Sequence, residues 1–126
     1  MRKKTTRPTD AELEILRVLW EKGPCTVRQV FDTISQNRQT GYTTILKLMQ
    51  IMAEKKLVTR DESNRTHLYK AKSRQEQTQK QLVVDLISRA FGGSTNKLVM
   101  QALQSKKISP DEIEEIRTML DQLEGE

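Results

Sequence analysis

Apolar residues recur every three or four positions in three stretches of the first half of the chain, a spacing typical of amphipathic helices. The first stretch begins at Thr9-Asp10-Ala11-Glu12, which fits the capping box of a helix start, and it stops at Gly23-Pro24. The second covers residues 26–35 and opens with the same capping pattern, and the third covers residues 43–55. These patterns predict three consecutive helices.

The third predicted helix has two different faces. At 100° per residue its apolar positions share one side, which we expect to face a core. These positions are Ile45, Leu48, Met49 and Met52. The opposite side carries Thr43, Lys47, Gln50 and Glu54. The outward face is therefore small, polar and partly basic.

Two short runs of β-forming residues follow the third helix. They cover residues 57–60 and 65–69 and flank the polar stretch 61–64, which predicts a β-hairpin. Three helices followed by a hairpin is the order expected of a winged helix-turn-helix, in which the third helix enters the major groove of DNA.

Three more helices are predicted in the second half of the chain. The polar, glutamine-rich stretch 74–81 marks a boundary, and apolar faces then recur over residues 82–91 and 98–103. The clearest helix start is Ser109-Pro110-Asp111-Glu112, with a serine cap and a proline at the first helical position. We therefore predict a mainly α protein with a winged-helix DNA-binding domain (residues 1–73) and a three-helix dimerisation domain (residues 74–126).

Composition favours completion of the core by a second copy. Of 126 residues, 35% are hydrophobic and 31% are charged, which is polar for a globular chain. The apolar positions expected to hold a homodimer together are Leu82, Leu86, Ile87, Leu98, Ile113, Ile116, Leu120 and Leu123. The last four form a narrow seam suited to a facing helix.

The charge distribution separates the two halves. Residues 1–73 carry 15 Lys and Arg against 8 Asp and Glu, whereas residues 74–126 carry 7 against 9. The basic half is the candidate binder of double-stranded DNA. An excess of basic residues can also simply keep a surface solvated, so the motifs decide between these interpretations.

Several function classes are disfavoured. With Cys25 as the single cysteine and His67 as the single histidine, the chain offers no disulfide and no metal cluster, and we expect no cofactor. No pairing of nucleophile and base or of two carboxylates suggests an enzyme. No apolar run approaches the roughly 20 residues of a membrane span, and no signal segment follows the basic start. A cytoplasmic protein without stable membrane association is predicted.

Two groups of residues are predicted to contact DNA. The base-reading group is Thr43, Thr44, Lys47 and Gln50. The phosphate-contacting group is Arg28, Arg38, Tyr42, Arg65 and Lys70. Tyr42 fits either a phosphate contact or packing at the helix entry, and each basic residue fits a solvated surface as well. The competing function is a winged-helix adaptor that binds protein without specific DNA binding.

Three segments together resemble the BlaI/MecI/CopY family of bacterial penicillinase repressors. They are residues 9–20, the segment Tyr42-Thr43-Thr44-Ile45-Leu46-Lys47-Leu48-Met49, and residues 109–116. The resemblance covers about Thr9 to Leu123 and implies a dimeric winged-helix repressor on a palindromic operator. Its C-terminal helices would interlock with those of the partner.

The resemblance also implies a partner, and the chain departs from the family pattern at several positions. Penicillinase-type members are released when a membrane sensor with a metalloprotease domain triggers cleavage at an Asn-Phe bond, and the matching bond here joins Gln101 and Ala102. The cysteine cluster of the copper-responsive branch has no counterpart near the C-terminus. Lys56 and Asn64 stand where the family commonly has glycine. A left-handed lysine is expected to cost about 1 kcal/mol, and asparagine accepts positive φ readily.

Overall fold

The computed structural model describes residues 7–125, which contain six helices and one antiparallel hairpin. The helices are α1 (Asp10–Lys22), α2 (Val27–Ser35), α3 (Tyr42–Glu54), α4 (Gln75–Ala90), α5 (Thr95–Gln104) and α6 (Pro110–Glu124), and the strands are β1 (Val58–Asp61) and β2 (Leu68–Ala71). The predicted fold class is confirmed: a winged helix is followed by a helical segment. Residues 1–6, where no signal segment is predicted, lie outside the described part.

The chain divides into two compact units, an N-terminal unit (Met1–Leu82) and a C-terminal unit (Val83–Glu126). The division falls inside α4, which begins at Gln75. Residues 75–81 of this polar stretch are therefore helical, because Gln, Glu and Lys are good helix formers. Thr78 lies in this part of α4 and is buried. The boundary between residues 73 and 74 stays a prediction.

The helix starts form as the capping patterns predict. Thr9 Oγ1 accepts the Glu12 amide at 3.2 Å while Glu12 Oε1 accepts the Thr9 amide at 2.9 Å. Thr26 and Gln29 make the same reciprocal pair before α2. Ser109 Oγ accepts the Glu112 amide at the start of α6. Each cap satisfies amides that a helix start leaves without an intrahelical acceptor.

The core of the N-terminal unit joins its three helices to the hairpin. Its buried apolar residues are Ile15, Leu16, Leu19, Cys25, Val27, Val30, Ile34, Ile45, Met49, Met52, Val58 and Tyr69. The inward face predicted for α3 is confirmed, since Ile45, Met49 and Met52 are fully buried and Leu48 is partly buried against this core. Trp20 also packs on it, and its Nε1 donates to the Ser73 carbonyl at 2.9 Å.

The strands of the hairpin differ in extent from the prediction. β1 pairs with β2 from Val58 opposite Ala71 to Asp61 opposite Leu68, so residues 65–67 lie in the turn and their assignment to a strand was wrong. The Asp61 side chain accepts the Ser63 amide at 3.0 Å, which starts the turn directly after β1. Cys25 and Tyr69 exchange two backbone hydrogen bonds on the other side of β2. Asn64 does not have positive φ.

Lys56 is the one non-glycine residue with positive φ among residues 7–125, at 66°. It follows the α3 C-cap, Lys55, in the left-handed conformation that commonly ends a helix. Its amide bonds to the Ala53 carbonyl and the next amide, that of Leu57, bonds to the Met52 carbonyl. The lysine therefore adopts a backbone conformation that suits glycine better.

Replacing Lys56 with glycine is expected to raise the free energy of unfolding by about 1 kcal/mol, because glycine avoids the Cβ clash of the left-handed region. Denaturant unfolding of the parent and the variant measures the difference. Lys56→Ala is the matched control, since it removes the same charge and keeps Cβ. Equal stabilisation by both substitutions would contradict a backbone cause.

The C-terminal unit has no buried side chain among its described residues, 83–125. Its apolar residues are exposed or half-buried even though α5 and α6 are regular helices with serine caps. Because none of its apolar residues is fully buried, this helical segment lacks the core that stabilises an independent domain.

Candidate nucleic-acid interface

The four predicted base-reading residues all lie exposed on α3. Thr43, Thr44, Lys47 and Gln50 point away from the buried Ile45, Met49 and Met52. Ion pairs among the described residues do not engage Lys47, so its ammonium group is available to a ligand. The side chains can donate to base edges and accept from them. The structure thus brings these four together on one helix face.

Sequence reasoning missed Ile51 on the same face. It is 41% exposed, and at 100° per residue it falls between Lys47 and Thr44 around α3. Its spacing of four residues from Lys47 was the signal that could have placed it there. An exposed aliphatic side chain in this position can contact the methyl group of thymine.

The start of α3 carries a cluster of one cation and two rings. The Arg28 guanidinium lies 5.6 Å from the Phe31 ring centroid and 5.8 Å from that of Tyr42. The two rings meet edge to face at 5.8 Å. Arg28 Nε also lies 3.6 Å from an Asp32 carboxylate oxygen. Tyr42 both packs on Phe31 and remains 40% exposed, and Phe31 is a further residue that sequence reasoning missed.

The N-terminus of α3 lies beside this cluster. Gly41 is its N-cap residue and makes no side-chain capping bond, in contrast to Thr9 and Thr26 at the two preceding helices. The first backbone amides of α3 are therefore not capped by the side chain of an N-cap residue.

Arg38 is engaged by a carboxylate of α1. Its Nη2 lies 2.7 Å from Glu14 Oε1, and its Nε lies 3.1 Å from each Glu14 oxygen. Nη1 donates to the Gln39 carbonyl at 3.3 Å. The hydrogen bond from Arg38 holds the pKa of Glu14 below its usual value. Arg38 therefore lies in the turn before α3 with its guanidinium already paired.

The wing carries both signs of charge. Arg65 and Lys70 are exposed, and in the described part of the chain neither makes an ion pair. Arg60 instead pairs with Glu62 at 2.6 Å, and the hydrogen bonds that its guanidinium donates to Tyr69 and Glu62 raise its pKa. His67 is exposed in the turn. Arg65 and Lys70 are thus the wing cations that remain available to phosphate.

Metal and thiol chemistry find no support among residues 7–125. No three His, Cys, Asp or Glu side chains in this range are arranged to hold a metal ion. Burial raises the pKa of the Cys25 thiol, which disfavours the reactive thiolate form. No helix in the described range is long and apolar enough to cross a bilayer.

The residues predicted to form a dimer interface remain uncovered. Leu82, Ile87, Leu98 and Ile116 are half-buried, while Leu86, Ile113, Leu120 and Leu123 are 39% to 68% exposed. Further exposed apolar residues that the prediction did not include are Val83, Val84, Val99, Met100, Leu103 and Met119. Gln101 and Ala102 lie exposed within α5.

Comparison with known proteins adds the family. The sequence profile of the penicillinase repressor family matches residues 8–122. The chain belongs to this family. The predicted resemblance is thereby confirmed, and the family and its named members are transcriptional regulators rather than enzymes.

Relatives within the penicillinase repressor family align over almost their whole length. The transcriptional regulator BlaI of Mycobacterium tuberculosis (strain ATCC 25618 / H37Rv) is 31% identical over 97% of this chain and 88% of its own. The methicillin resistance regulatory protein MecI of Mammaliicoccus sciuri is 25% identical over 95% of this chain and 98% of its own. A penicillinase repressor of Staphylococcus aureus is 20% identical, over 90% of each chain.

Proposed function

We propose that this protein is a DNA-binding transcriptional repressor that acts as a homodimer on a two-fold symmetric operator. The observation that carries the proposal is the outward face of α3, where Thr43, Thr44, Lys47 and Gln50 are exposed opposite a fully buried apolar face. Family membership supports repression, because the relatives are named as regulators and repressors of transcription.

In the proposed complex α3 enters the major groove of one half-site. Lys47 and Gln50 donate to purine acceptors, while Thr43 and Thr44 contact a base edge or the adjoining phosphate. Ile51 supplies apolar contact on the same face. These contacts discriminate between sequences because each base pair presents a distinct pattern in the major groove.

Phosphate contacts are proposed on either side of α3. Arg28 is held over the rings of Phe31 and Tyr42, which fixes its guanidinium beside the uncapped N-terminus of α3. Arg65 and Lys70 contact the backbone from the wing. These contacts supply affinity that does not depend on sequence and falls as salt rises.

The C-terminal unit is proposed as the dimerisation module. Leu120 and Leu123 are 56% and 68% exposed on α6, and an apolar groove of about 490 Å³ runs between Leu103 and Ile113. Isolated proteins rarely leave so many neighbouring apolar side chains uncovered, so a partner surface of similar chemistry fits here. A second copy also supplies the second α3 that a symmetric operator requires.

Release of the operator by proteolysis is a further part of the proposal. A cut between Gln101 and Ala102 would divide α5, and thereby separate α6 from the rest of the dimerisation module. A membrane sensor with a metalloprotease domain is the partner that the family resemblance implies. Incubating the pure repressor with such a protease and mapping the fragments tests the bond.

Binding to genomic fragments, including the protein's own promoter, tests the proposed function. With competitor DNA present, the full-length protein is expected to protect a dyad-symmetric site at both ~50 and ~200 mM salt. Binding that disappears with salt and prefers no fragment would overturn the proposal. The C-terminal apolar surface would then favour the alternative function, a winged-helix adaptor that binds protein without specific DNA binding.

Lys47→Ala and Arg65→Ala are expected to have different effects. Losing Lys47 should cost about 1–3 kcal/mol at the operator and relax base preference, because it removes a base contact. Losing Arg65 should weaken operator and competitor alike and lower the salt slope by about 1. Titrations at several salt concentrations measure both. Lys22→Ala removes a charge from α1 as control, and identical effects at positions 47 and 65 would contradict the assigned roles.

A further inference from the structure

Two carboxylates of α1 contact residues that flank α3 on its two sides in the sequence. Glu14 bonds to Arg38 in the turn that leads into α3, and Glu12 bonds to Lys55, the C-cap residue of α3. Both shortest contacts are 2.7 Å. We call these four residues the α1 brace. One helix is thus tied by ion pairs to the turn before the proposed base-reading helix and to the C-cap of that helix.

The Glu14 end of the brace has a fixed geometry. Three hydrogen bonds join the Arg38 guanidinium to the two Glu14 oxygens, and a fourth joins it to the Gln39 carbonyl. A planar guanidinium that chelates a carboxylate constrains direction as well as distance. The backbone of the turn is therefore held at a set position on α1, four residues before α3 begins.

The Glu12 end of the brace is buried. Glu12 is 2% exposed and the Lys55 side chain 17% exposed. Glu12 Oε1 also accepts the Thr9 amide, so the carboxylate is held from two sides. The negative Glu12 lies in the first turn of α1 and the positive Lys55 at the C-terminus of α3, where each charge is favoured by the dipole of its own helix.

Apolar packing alone does not fix α3 in this way. Ile45 and Met49 set how deeply α3 is buried, but apolar contact has no preferred direction. Small displacements of a recognition helix misalign the hydrogen bonds that distinguish bases. We propose that the α1 brace positions α3 for base reading, and that Arg38 acts through Glu14 rather than on a phosphate. The proposal rests on the function proposed above.

The sign of the Glu14→Gln effect distinguishes the two roles of Arg38. As positioning residues, Glu14→Gln and Arg38→Met both lower operator affinity about 3- to 10-fold, as expected for losing one well-aligned charged pair. Affinity for competitor DNA and the salt slope stay at parent values. If Arg38 contacts a phosphate instead, Arg38→Met weakens binding to operator and competitor DNA alike, and it lowers the salt slope of the affinity by about 0.9. Glu14→Gln would then leave affinity unchanged or raise it, and either result overturns the inference.

The double variant Glu14→Arg/Arg38→Glu provides a rescue test. It reverses the pair while keeping the net charge, so operator affinity is expected to return towards that of the parent. If the double variant binds the operator as weakly as the more affected single variant, the inferred role of the Glu14–Arg38 pair is overturned. Denaturant unfolding confirms that each variant is folded under the binding conditions.

Amide hydrogen exchange of the free protein tests the brace without DNA. Glu14→Gln and Arg38→Met are expected to speed exchange at least threefold at the hydrogen-bonded amides of residues 45–49 in α3, and the reversed pair is expected to restore protection. Amides of α6 serve as the internal reference. Unchanged exchange in α3 would overturn the inference even if the parent binds an operator. If the parent prefers no DNA site but α3 still loosens in the variants, the proposed function fails and the role of the brace in base reading fails with it, while its role in holding α3 remains.

Discussion

Replacing Leu120 with glutamate is expected to convert the proposed dimer to a monomer and to lower affinity for the proposed operator by about 10²- to 10⁴-fold, because two half-site contacts are no longer linked. Leu120 is 56% exposed on α6, in line with Ile113, Ile116 and Leu123. A carboxylate placed in a contact between apolar helices loses its hydration without gaining a partner. Light scattering gives the oligomeric state, and a binding titration gives the affinity.

Gln122→Glu is the matched control for this variant. It adds the same charge two residues away, on the opposite side of α6, where Gln122 is exposed. Parent-like mass and affinity are expected. A Leu120→Glu protein that remains dimeric, or a monomer that binds the operator as tightly as the parent, would contradict the role of the C-terminal unit.

Replacing Lys55 with methionine is expected to lower the free energy of unfolding by about 3 kcal/mol at neutral pH, because it leaves the buried Glu12 carboxylate without its cation. Burial raises the pKa of Glu12, but the hydrogen bonds from Lys55 and Thr9 outweigh it, so that the pKa lies below its ordinary value. The pair therefore stabilises the fold above the ordinary carboxyl pKa, and that contribution is lost as the pH falls through the lowered pKa.

Urea unfolding as a function of pH measures this dependence. In the variant, which lacks Lys55, burial raises the pKa of Glu12. The difference in the free energy of unfolding between parent and variant should therefore narrow as the pH falls. Lys47→Met is the control, since it makes the same substitution at an exposed position of α3. A gap that is constant with pH would show that the loss arises from packing rather than from the charge on Glu12.

Local signals in the sequence predicted most of the helices. Thr9 with Glu12 and Thr26 with Gln29 lie three residues apart, so both partners of each cap are readable from one short segment. The two faces of α3 follow equally from helical periodicity. The start of α4 was not predicted, because apolar spacing indicates a helix only from Leu82 onward and residues 75–81 are helical but polar.

Contacts between distant parts of the chain could not be predicted in the same way. Glu14 and Arg38 are 24 residues apart, and Glu12 and Lys55 are 43 apart. Nothing in their spacing indicates a pair, because the contacts exist only after α1 packs on α3. For the same reason Arg38 could be predicted as a phosphate contact from its charge, whereas its carboxylate partner could not be foreseen. The backbone pairing of Cys25 with Tyr69 belongs to the same class.

The interface predictions depend on exposure, which periodicity gives only in part. Lys47 and Gln50 were placed outward correctly because polar residues mark that face. Ile51 was missed because an aliphatic residue is normally assigned to a core. Its exposure of 41% shows that the outward arc of α3 between Lys47 and Thr44 includes an aliphatic residue as well as polar ones.

The hydrogen bond from Trp20 to the Ser73 carbonyl gives this protein a built-in optical probe. Trp20 is the single tryptophan, and Ser73 lies two residues before α4 begins. Indole emission responds to the polarity around the ring and to the bond made by its N–H. Intrinsic fluorescence therefore reports on the junction between the winged helix and the start of α4, without a label or a substitution.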